Sequence, residues 1–497
     1  MTASRLQVAA SEFELAPNPG TEADLRTGAK ACDVVGPLKT TVLLLDDGST
    51  RVCLITTHFG PSTPVNVSEL FRRSIADELG LPTSHVLFMS SHNHCSVAFA
   101  GNGVLMYESY SRDNIPPAEL LPIGAQFLQM LRTHARQLAE RLQPATVWWS
   151  EAHEDRITYN RKGRRSDGTT YLMREEDRLL LGEDFAGDID PKAPVIVFRD
   201  MANHPIAALI QFTGHPVTSY HPERMIIFGE WPQIACDVLA EHLQAEPALS
   251  APATRPANVP VGFMQGCAGN VNSRQMLSGD VGRSTEFGQM LGDRCIAALK
   301  QLKRSEREGL DCVVEPIGLP LGPLPPRQTL ADEITEMDDF IRRARSGDED
   351  TLSCAGLNFA RALSPPFRAR LVELVRPWTA WALDLYEAGA DTSVEKQLEM
   401  DVSVLRIGDV GIVGMPCEPF QEIGLRIRED SPLPISIPCG YTNVSHGYIP
   451  DSANLGDAEY MSSHHRYTRF RPPLAAPAGD VLADAALRIL KDFAGNT

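Results

Sequence analysis

The chain has 497 residues and carries 46 Lys and Arg against 64 Asp and Glu, a formal net charge of −18. This balance argues against nucleic acid as a partner, because contacts to phosphates need Lys and Arg in numbers that the one short basic stretch, residues 161–165, does not supply. Hydrophobic residues make up 43% of the chain and charged residues 22%, which excludes a disordered chain and is ordinary for a globular enzyme.

Short apolar runs, each closed by a polar or glycine-containing loop, predict β-strands. In chain order they lie at 41–46, 51–57, 86–90, 147–150, 195–199, 205–212, 259–264, 402–407, 408–415 and 434–438. Longer stretches with a helical period predict helices at 68–80, 117–142, 233–245, 285–303, 332–346, 366–388, 418–428 and 480–493. This alternation indicates an α/β fold of mixed β-sheets with packed helices.

A proline-rich stretch, residues 318–327, divides this pattern. Its prolines exclude a regular helix or a central strand. A mostly helical stretch follows it, so we expect 318–391 to be either a helical insertion over the site or an ordinary helical layer of the same core. Residues 1–497 are otherwise predicted to form a single domain.

The cysteines and the N-terminal residues indicate the cellular compartment. Ten cysteines are scattered without a CxxC pair, which favours free thiols in a reducing compartment. Residues 1–20 lack the apolar core of an export signal, and nowhere do 18 apolar residues follow one another. We therefore expect a cytoplasmic protein with no stable membrane insertion.

Polar side chains follow three of the predicted strands. The strand at 86–90 runs into His92 and His94, which an extended segment would place on one face, roughly 7 Å apart. The strand at 205–212 is followed by His215 on a Gly-His-Pro turn. Because functional groups of α/β sheets gather at strand ends, these histidines are candidates for one site. The alternative for His92 and His94 is a pair of solvated loop histidines.

Glu418 follows the third of these strands. A His/His/Glu set is a common way to hold catalytic zinc with one position left open. The alternative is a carboxylate that stabilises the first turn of a helix. A fourth loop, 439–451, is polar and contains Tyr448. Several phenols and a histidine in this loop suggest hydrogen bonding to a ligand, and the alternative is an exposed loop with amphipathic Tyr side chains. The nearby pair His464 and His465 is expected to be solvated.

These motifs, in this order, resemble the catalytic domain of the neutral/alkaline non-lysosomal ceramidase family. The similar segments are VAASEFELAP, VLFMSSHNHCS, QFTGHPV, MQGCAGNVNSR, IVGMPCEPF and NVSHGYIP with EYMSSHHRY after it. The resemblance implies a ceramidase-like catalytic domain without the C-terminal immunoglobulin-like domain. It implies Zn²⁺ ligands at His92, His215, Glu418 and Tyr448, and catalytic or substrate-contacting residues at His94, Arg161 and Tyr460.

Departures from the family pattern put the substrate in question more than the metal. Asn270 stands where the glycine-rich loop usually has Asp, and Ser445 replaces the first tyrosine of the motif YTHY. His446 and Gly447 also differ from the family residues. With no export signal, the chain is a poor candidate for an enzyme of membrane ceramide.

The resulting hypothesis is a zinc-dependent amidohydrolase. A zinc-bound hydroxide would cleave the C–N amide bond of a small or N-acylated substrate, with His94 carrying the proton to the leaving amine. Tyr460 or Arg161 would stabilise the oxyanion, and Arg161 is alternatively a partner for a substrate carboxylate. The expected partner is a small-molecule amide. The sequence does not decide whether the chain forms a homo-oligomer.

Three other readings remain at this point. The same metal would serve an ester or lactone hydrolase, or a lyase or isomerase of a hydroxylated metabolite. A cysteine hydrolase would use Cys95, Cys267 or Cys417 as its nucleophile. A non-catalytic metal-binding protein would keep the ligands without the reaction.

Overall fold

Most strands of the larger sheet are buried on both faces. The computed structural model describes residues 6–24, 29–60, 64–102, 115–246, 258–467 and 470–495. Within them, this sheet contains β1 (Gln7–Leu15), β2 (Leu38–Asp46), β3 (Arg51–Thr57), β4 (Val86–Ser90), β5 (Gln143–His153), β6 (Lys192–Asp200), β7 (Pro205–Phe212), β8 (Val261–Gln265) and β9 (Lys303–Arg304). The strands predicted at 51–57, 86–90 and 205–212 have the predicted bounds.

The order of this sheet is β8-β7-β6-β5-β1-β2-β3-β4, and β9 pairs with β5. Most neighbours are antiparallel, but β3 with β4 and β7 with β8 are parallel. Parallel neighbours end at the same edge of a sheet. The carboxyl ends of β7 and β8 therefore lie side by side.

A second sheet packs on the first. It contains β10 (Leu310–Pro320), β11 (Gln397–Ile407), β12 (Val410–Gly414) and β13 (Ile435–Cys439), in that order, with β12 and β13 parallel. One apolar cluster joins the two sheets; Leu43 and Leu54 of the first pack there with Leu405 and Ile437 of the second. Side chains alternate across a strand, so Val42 and Leu44 lie on the opposite face of β2.

Helices cover the outer faces of both sheets. They are α1 (Val65–Leu79), α2 (Pro122–Ala139), α3 (Glu175–Leu179), α4 (Glu230–Ala245), α5 (Val281–Ala298), α6 (Arg327–Arg345), α7 (Pro365–Glu387), α8 (Gln421–Asp430) and α9 (Ala478–Gly495). The first sheet packs against α1 and α2 in one cluster and against α4 and α5 in another. The second sheet packs against α8 and α9. The predicted mixed α/β fold is confirmed.

Strand β10 was not predicted, because its prolines obscure the apolar pattern. It lies at the edge of the second sheet, where a residue without an N–H is tolerated. It pairs with β11, and helices α6 and α7 lie between these two strands in the chain. The two helices pack on each other, and their cluster includes Tyr467. Among the described helices, none is long and apolar enough to cross a membrane.

Short strands complete the fold around the strand ends. Four of them form two pairs near the loops discussed below: Glu418–Pro419 pairs in parallel with Tyr448–Ile449, and Val271–Ser273 pairs with Thr158–Asn160. The others are Glu22–Asp24, Ala29–Lys30, Asp33–Val34, Lys162–Arg164, Thr170–Leu172, Ile226–Ile227, Ser353–Cys354 and Leu357–Asn358.

Two leucines test how much the packing under α2 stabilises the fold. Leu131 is fully buried in the cluster between α2 and the larger sheet, whereas Leu180 is 86% exposed. We expect Leu131→Ala to lower the free energy of unfolding by about 2–5 kcal/mol, since it removes buried methyl groups and leaves a cavity. The same change at Leu180 should alter it by less than about 0.5 kcal/mol. Urea unfolding of both variants measures the difference, and equal losses would contradict this account of the core.

Candidate metal centre

The loop after β4 brings two histidines to the site. His92 is buried, and its Nε2 atom lies 3.3 Å from Oε2 of Glu418. His94 is partly exposed, and its Nε2 atom lies 3.4 Å from that of His92. The segment is not extended as predicted, because His92 has a φ of 63°. The two rings nevertheless meet, with their centroids 5.0 Å apart.

His215, at the end of β7, has its ring orientation set by backbone carbonyls. Its Nδ1 atom lies 2.8 Å from the carbonyl oxygen of Ala268 and 3.1 Å from that of Val271. Both partners can only accept, so Nδ1 carries the hydrogen and Nε2 presents a lone pair. That Nε2 atom lies 3.2 Å from Oε2 of Glu418. Gly214 is needed here, because a Cβ atom would come within 2.5 Å of Thr158.

Glu418 and Tyr448 are held next to each other by the short parallel pairing. The Glu418 N–H donates to the carbonyl of Gly447 at 2.9 Å. Helix α8 begins three residues after Glu418, so this carboxylate lies outside the helix predicted at 418–428. Burial raises the pKa of Glu418 to about 8, although the neighbouring Arg161 cation lowers it. The Tyr448 hydroxyl lies 3.4 Å from Nε2 of His215, and burial raises its pKa well above the usual value.

This donor set suits zinc. The ligand atoms of His92, His215 and Glu418 all lie within 4.8 Å of one another. Ligands about 2.0–2.1 Å from a tetrahedral zinc ion are about 3.3 Å apart, close to the separations described above. Burial also lowers the pKa of His215 well below its usual value, so its neutral ring turns a lone pair toward a carboxylate. Two acceptors that face each other in a dry interior need a proton or a cation between them.

Arg161 is buried against the same group. Its guanidinium donates to the carbonyl of Gly269 at 2.8 Å and to the Tyr448 hydroxyl at 2.8 Å. It also lies 3.2 Å from Nε2 of His215 and 3.5 Å from Oδ1 of Asn272. These contacts use most of its N–H groups, which favours a role in holding Tyr448 over one as a clamp for a substrate carboxylate.

The rings of Tyr460 and His464 pack against Tyr448. The ring of Tyr460 is 5.5 Å from that of Tyr448, and the ring of His464 is 4.5 Å from it. His464 and His465 are both buried, so the expectation that they are solvated was wrong. Burial lowers the pKa of His464 to about 3, and its Nδ1 atom has no hydrogen-bond partner. The fold places this polar loop in the interior, against α7, which the local sequence does not indicate.

Tyr441 is a residue of the site that the sequence analysis missed. Its ring lies 4.2 Å from that of His92 and is almost completely buried. Its φ is 54°, a left-handed conformation that costs a non-glycine residue about 1–3 kcal/mol. Such strain clusters at functional sites, and His92 shows it as well. The signal available in the sequence was only a Gly-Tyr pair directly after a predicted strand.

The cysteines near the site do not have the environment of a nucleophile. Cys95, Cys267 and Cys417 are buried, and desolvation raises the pKa of each thiol well above its usual value. A reactive cysteine needs the opposite shift. The structure therefore gives no support to the cysteine hydrolase reading.

Comparison with known proteins shows which fold the chain has. Neither the family models nor the curated proteins give a match. Among solved structures, the neutral ceramidase from Pseudomonas aeruginosa is similar, with a TM-score of 0.61 and 13% identity over 99% of this chain and 75% of that chain. A ceramidase complexed with C2 is also similar, with a TM-score of 0.63 and 13% identity over 99% of this chain and 74% of that chain. The fold is ceramidase-like. The expected catalytic-domain architecture is thereby confirmed.

The structure also shows what Asn270 does in place of the aspartate usual in the ceramidase motif. Its side-chain oxygen accepts from the N–H of Gln421 at 2.9 Å, and its amide nitrogen donates to Glu422 at 2.9 Å. It thus joins the glycine-rich loop to the start of α8. Asn270 therefore makes this buried contact from the loop at 268–271, whose backbone carbonyls orient His215.

We therefore expect Asn270→Asp to destabilise the protein in a pH-dependent manner. The change places a second carboxylate against Glu422, whose pKa burial already raises. A folded pKa above the unfolded value means that protonation stabilises the folded state, so the cost is largest at high pH and falls as the pH drops through the folded pKa. The loss should be about 1–3 kcal/mol at pH 8 and smaller at pH 5.

Urea unfolding at the two pH values measures this effect. Asn203→Asp is the control, because Asn203 is exposed and the chemical change is the same. A loss for Asn270→Asp that is equal at pH 5 and pH 8, or a loss as large for Asn203→Asp, would contradict the assignment.

Proposed function

We propose that this protein is a zinc-dependent hydrolase that cleaves the C–N amide bond of a small or N-acylated substrate. The observation that carries the proposal is the convergence of His92, His215 and Glu418, from three different strand ends, on one buried point. The ceramidase-like fold supports amide cleavage over other reactions of the same metal, because the similar solved structures are ceramidases.

The proposed ligands are His92, His215, Glu418 and Tyr448. When bound, zinc supplies a Lewis acid that activates water near neutral pH and polarises a carbonyl group. Arg161 donates to the phenol oxygen of Tyr448, which favours the deprotonated form of that ligand. The carbonyls behind His215 keep its Nε2 lone pair directed toward Glu418, where it would hold the zinc ion.

The other proposed roles belong to residues around the ligands. His94 lies beside His92 and is partly exposed, so its imidazole is placed to carry a proton to the leaving amine. Tyr460, next to Tyr448, is proposed to donate to the oxyanion of the substrate, while Arg161 holds Tyr448 in place. The products are a carboxylic acid and an amine.

Metal content tests the proposal first. Protein purified without a His-tag should carry about one zinc ion per chain by mass spectrometry of its metals, because the site offers one set of ligands. His92→Ala and His215→Ala should each lose the metal and the activity. His153→Ala is the control, since His153 lies 67% exposed. Normal turnover by either ligand variant, or full activity without metal, would disprove zinc dependence.

The role of His94 is tested by separating binding from chemistry. We expect His94→Gln to keep its zinc and to lower kcat about 10²- to 10⁴-fold, because the proton donor is lost while the ligands remain. Activity against short and long N-acyl amines, measured with zinc content in the same preparations, checks this. A His94→Gln variant with unchanged kcat on every cleaved amide would remove His94 from the reaction.

A further inference from the structure

Tyr441 is connected through its backbone to two of the loops that carry the proposed ligands. It follows β13, and its N–H donates to the carbonyl of Cys417 at 2.8 Å. Its own carbonyl accepts from the N–H of Ser90 at 3.3 Å. Cys417 precedes Glu418, and Ser90 lies two residues before His92. Tyr441 therefore lies where the Glu418 loop and the His92 loop meet.

The side chain of Tyr441 lies against the proposed ligands themselves. Its ring is tilted by 34° over the imidazole of His92, with the centroids 4.2 Å apart. It also meets the ring of His215 edge-on at 6.0 Å. Only 4% of Tyr441 is exposed, so the ring restricts the orientation of His92 from the protein side.

The hydroxyl group of Tyr441 is buried and makes no hydrogen bond of normal geometry. The ring that carries it packs on His92 and His215, whose Nε2 atoms lie 3.3 and 3.2 Å from Oε2 of Glu418. A buried hydroxyl is seldom left unpaired, because its desolvation is then not compensated. The Glu418 carboxylate, which contacts both of these imidazoles, is a candidate acceptor for this hydroxyl.

The backbone conformation of Tyr441 also indicates a specific role for its side chain. A φ of 54° favours glycine, yet the chain has a large aromatic residue at this position. Packing on His92 needs only a ring, which phenylalanine would supply. The hydroxyl is the part of the side chain that packing leaves unexplained.

We propose that Tyr441 is a positioning residue of the metal site, whose hydroxyl donates a hydrogen bond to the Glu418 carboxylate while its ring holds His92 in place. This inference rests on the proposed function, because it assumes that Glu418 and His92 are metal ligands. Hydrogen bonds to ligating carboxylates fix their orientation, and removal of such outer partners typically weakens metal binding about 10- to 100-fold.

The experiment measures zinc affinity directly. Zinc is removed from the wild-type protein and from Tyr441→Phe, and the dissociation constant is measured by competition with a chromophoric chelator. We expect Tyr441→Phe to bind zinc about 10- to 100-fold more weakly, because it keeps the ring and loses only the hydroxyl. Tyr386→Phe is the matched control, because Tyr386 lies in α7 and its hydroxyl donates to the carbonyl of Pro325. The zinc affinity of this variant should not change.

A second variant separates positioning from folding. Tyr441→Gly suits the backbone conformation but deletes a buried ring, so the zinc-free Tyr441→Gly protein should unfold at a lower temperature than the wild type, whereas zinc-free Tyr441→Phe should not. Its zinc affinity should fall at least as far as that of Tyr441→Phe. The visible absorption of the Co²⁺-loaded proteins reports whether Glu418 keeps its geometry.

The outcomes are distinct. Wild-type affinity in Tyr441→Phe, or an equal loss in Tyr386→Phe, overturns the role of Tyr441 and leaves the proposed function standing. A wild-type protein that binds no zinc overturns both. A weaker site in Tyr441→Phe, with an unchanged unfolding temperature of the zinc-free protein, supports the inference.

Discussion

Two histidine nitrogens that lie 3.3 and 3.2 Å from one carboxylate oxygen are the constraint on which the rest of the site depends. All three groups are buried, so water does not relieve the crowding of their lone pairs. The surrounding structure must hold them there against that cost. Backbone carbonyls behind His215 and the pairing of Glu418 with Tyr448 do so. A cation is the partner that makes such an arrangement favourable.

The two sheets explain how residues so distant in the chain meet. His92 and His215 follow strands of the larger sheet, whereas Glu418 and Tyr441 follow strands of the second. Because the sheets share one apolar cluster, their strand ends are held at a common edge. The glycine-rich loop after β8 lies between them, and its Gly269 carbonyl accepts from Arg161. Loops and short pairings anchored at packed strand ends therefore carry every proposed ligand.

Sequence patterns predicted correctly the features that a single strand or a single loop determines. The apolar runs at 51–57, 86–90 and 205–212 are strands with the predicted bounds, because burial on both faces leaves an unmistakable local pattern. The His/His/Glu cluster was predicted from the residues that follow strands. Strand β10 was missed, since its prolines are tolerated only because it lies at a sheet edge. His464 was misjudged, since α7 and the aromatic loop bury it.

The amino-acid sequence alone determined the mixed α/β class and the residue types of the His/His/Glu cluster, since periodicity and strand-end chemistry are local properties. The tertiary structure alone decided which groups support that site. Tyr441 contacts His92 across about 350 residues of chain, and Arg161 reaches Tyr448 across 287. Contacts of this kind arise from the packing of two sheets, which no short stretch of sequence encodes. They turn three separate ligand candidates into one buried centre.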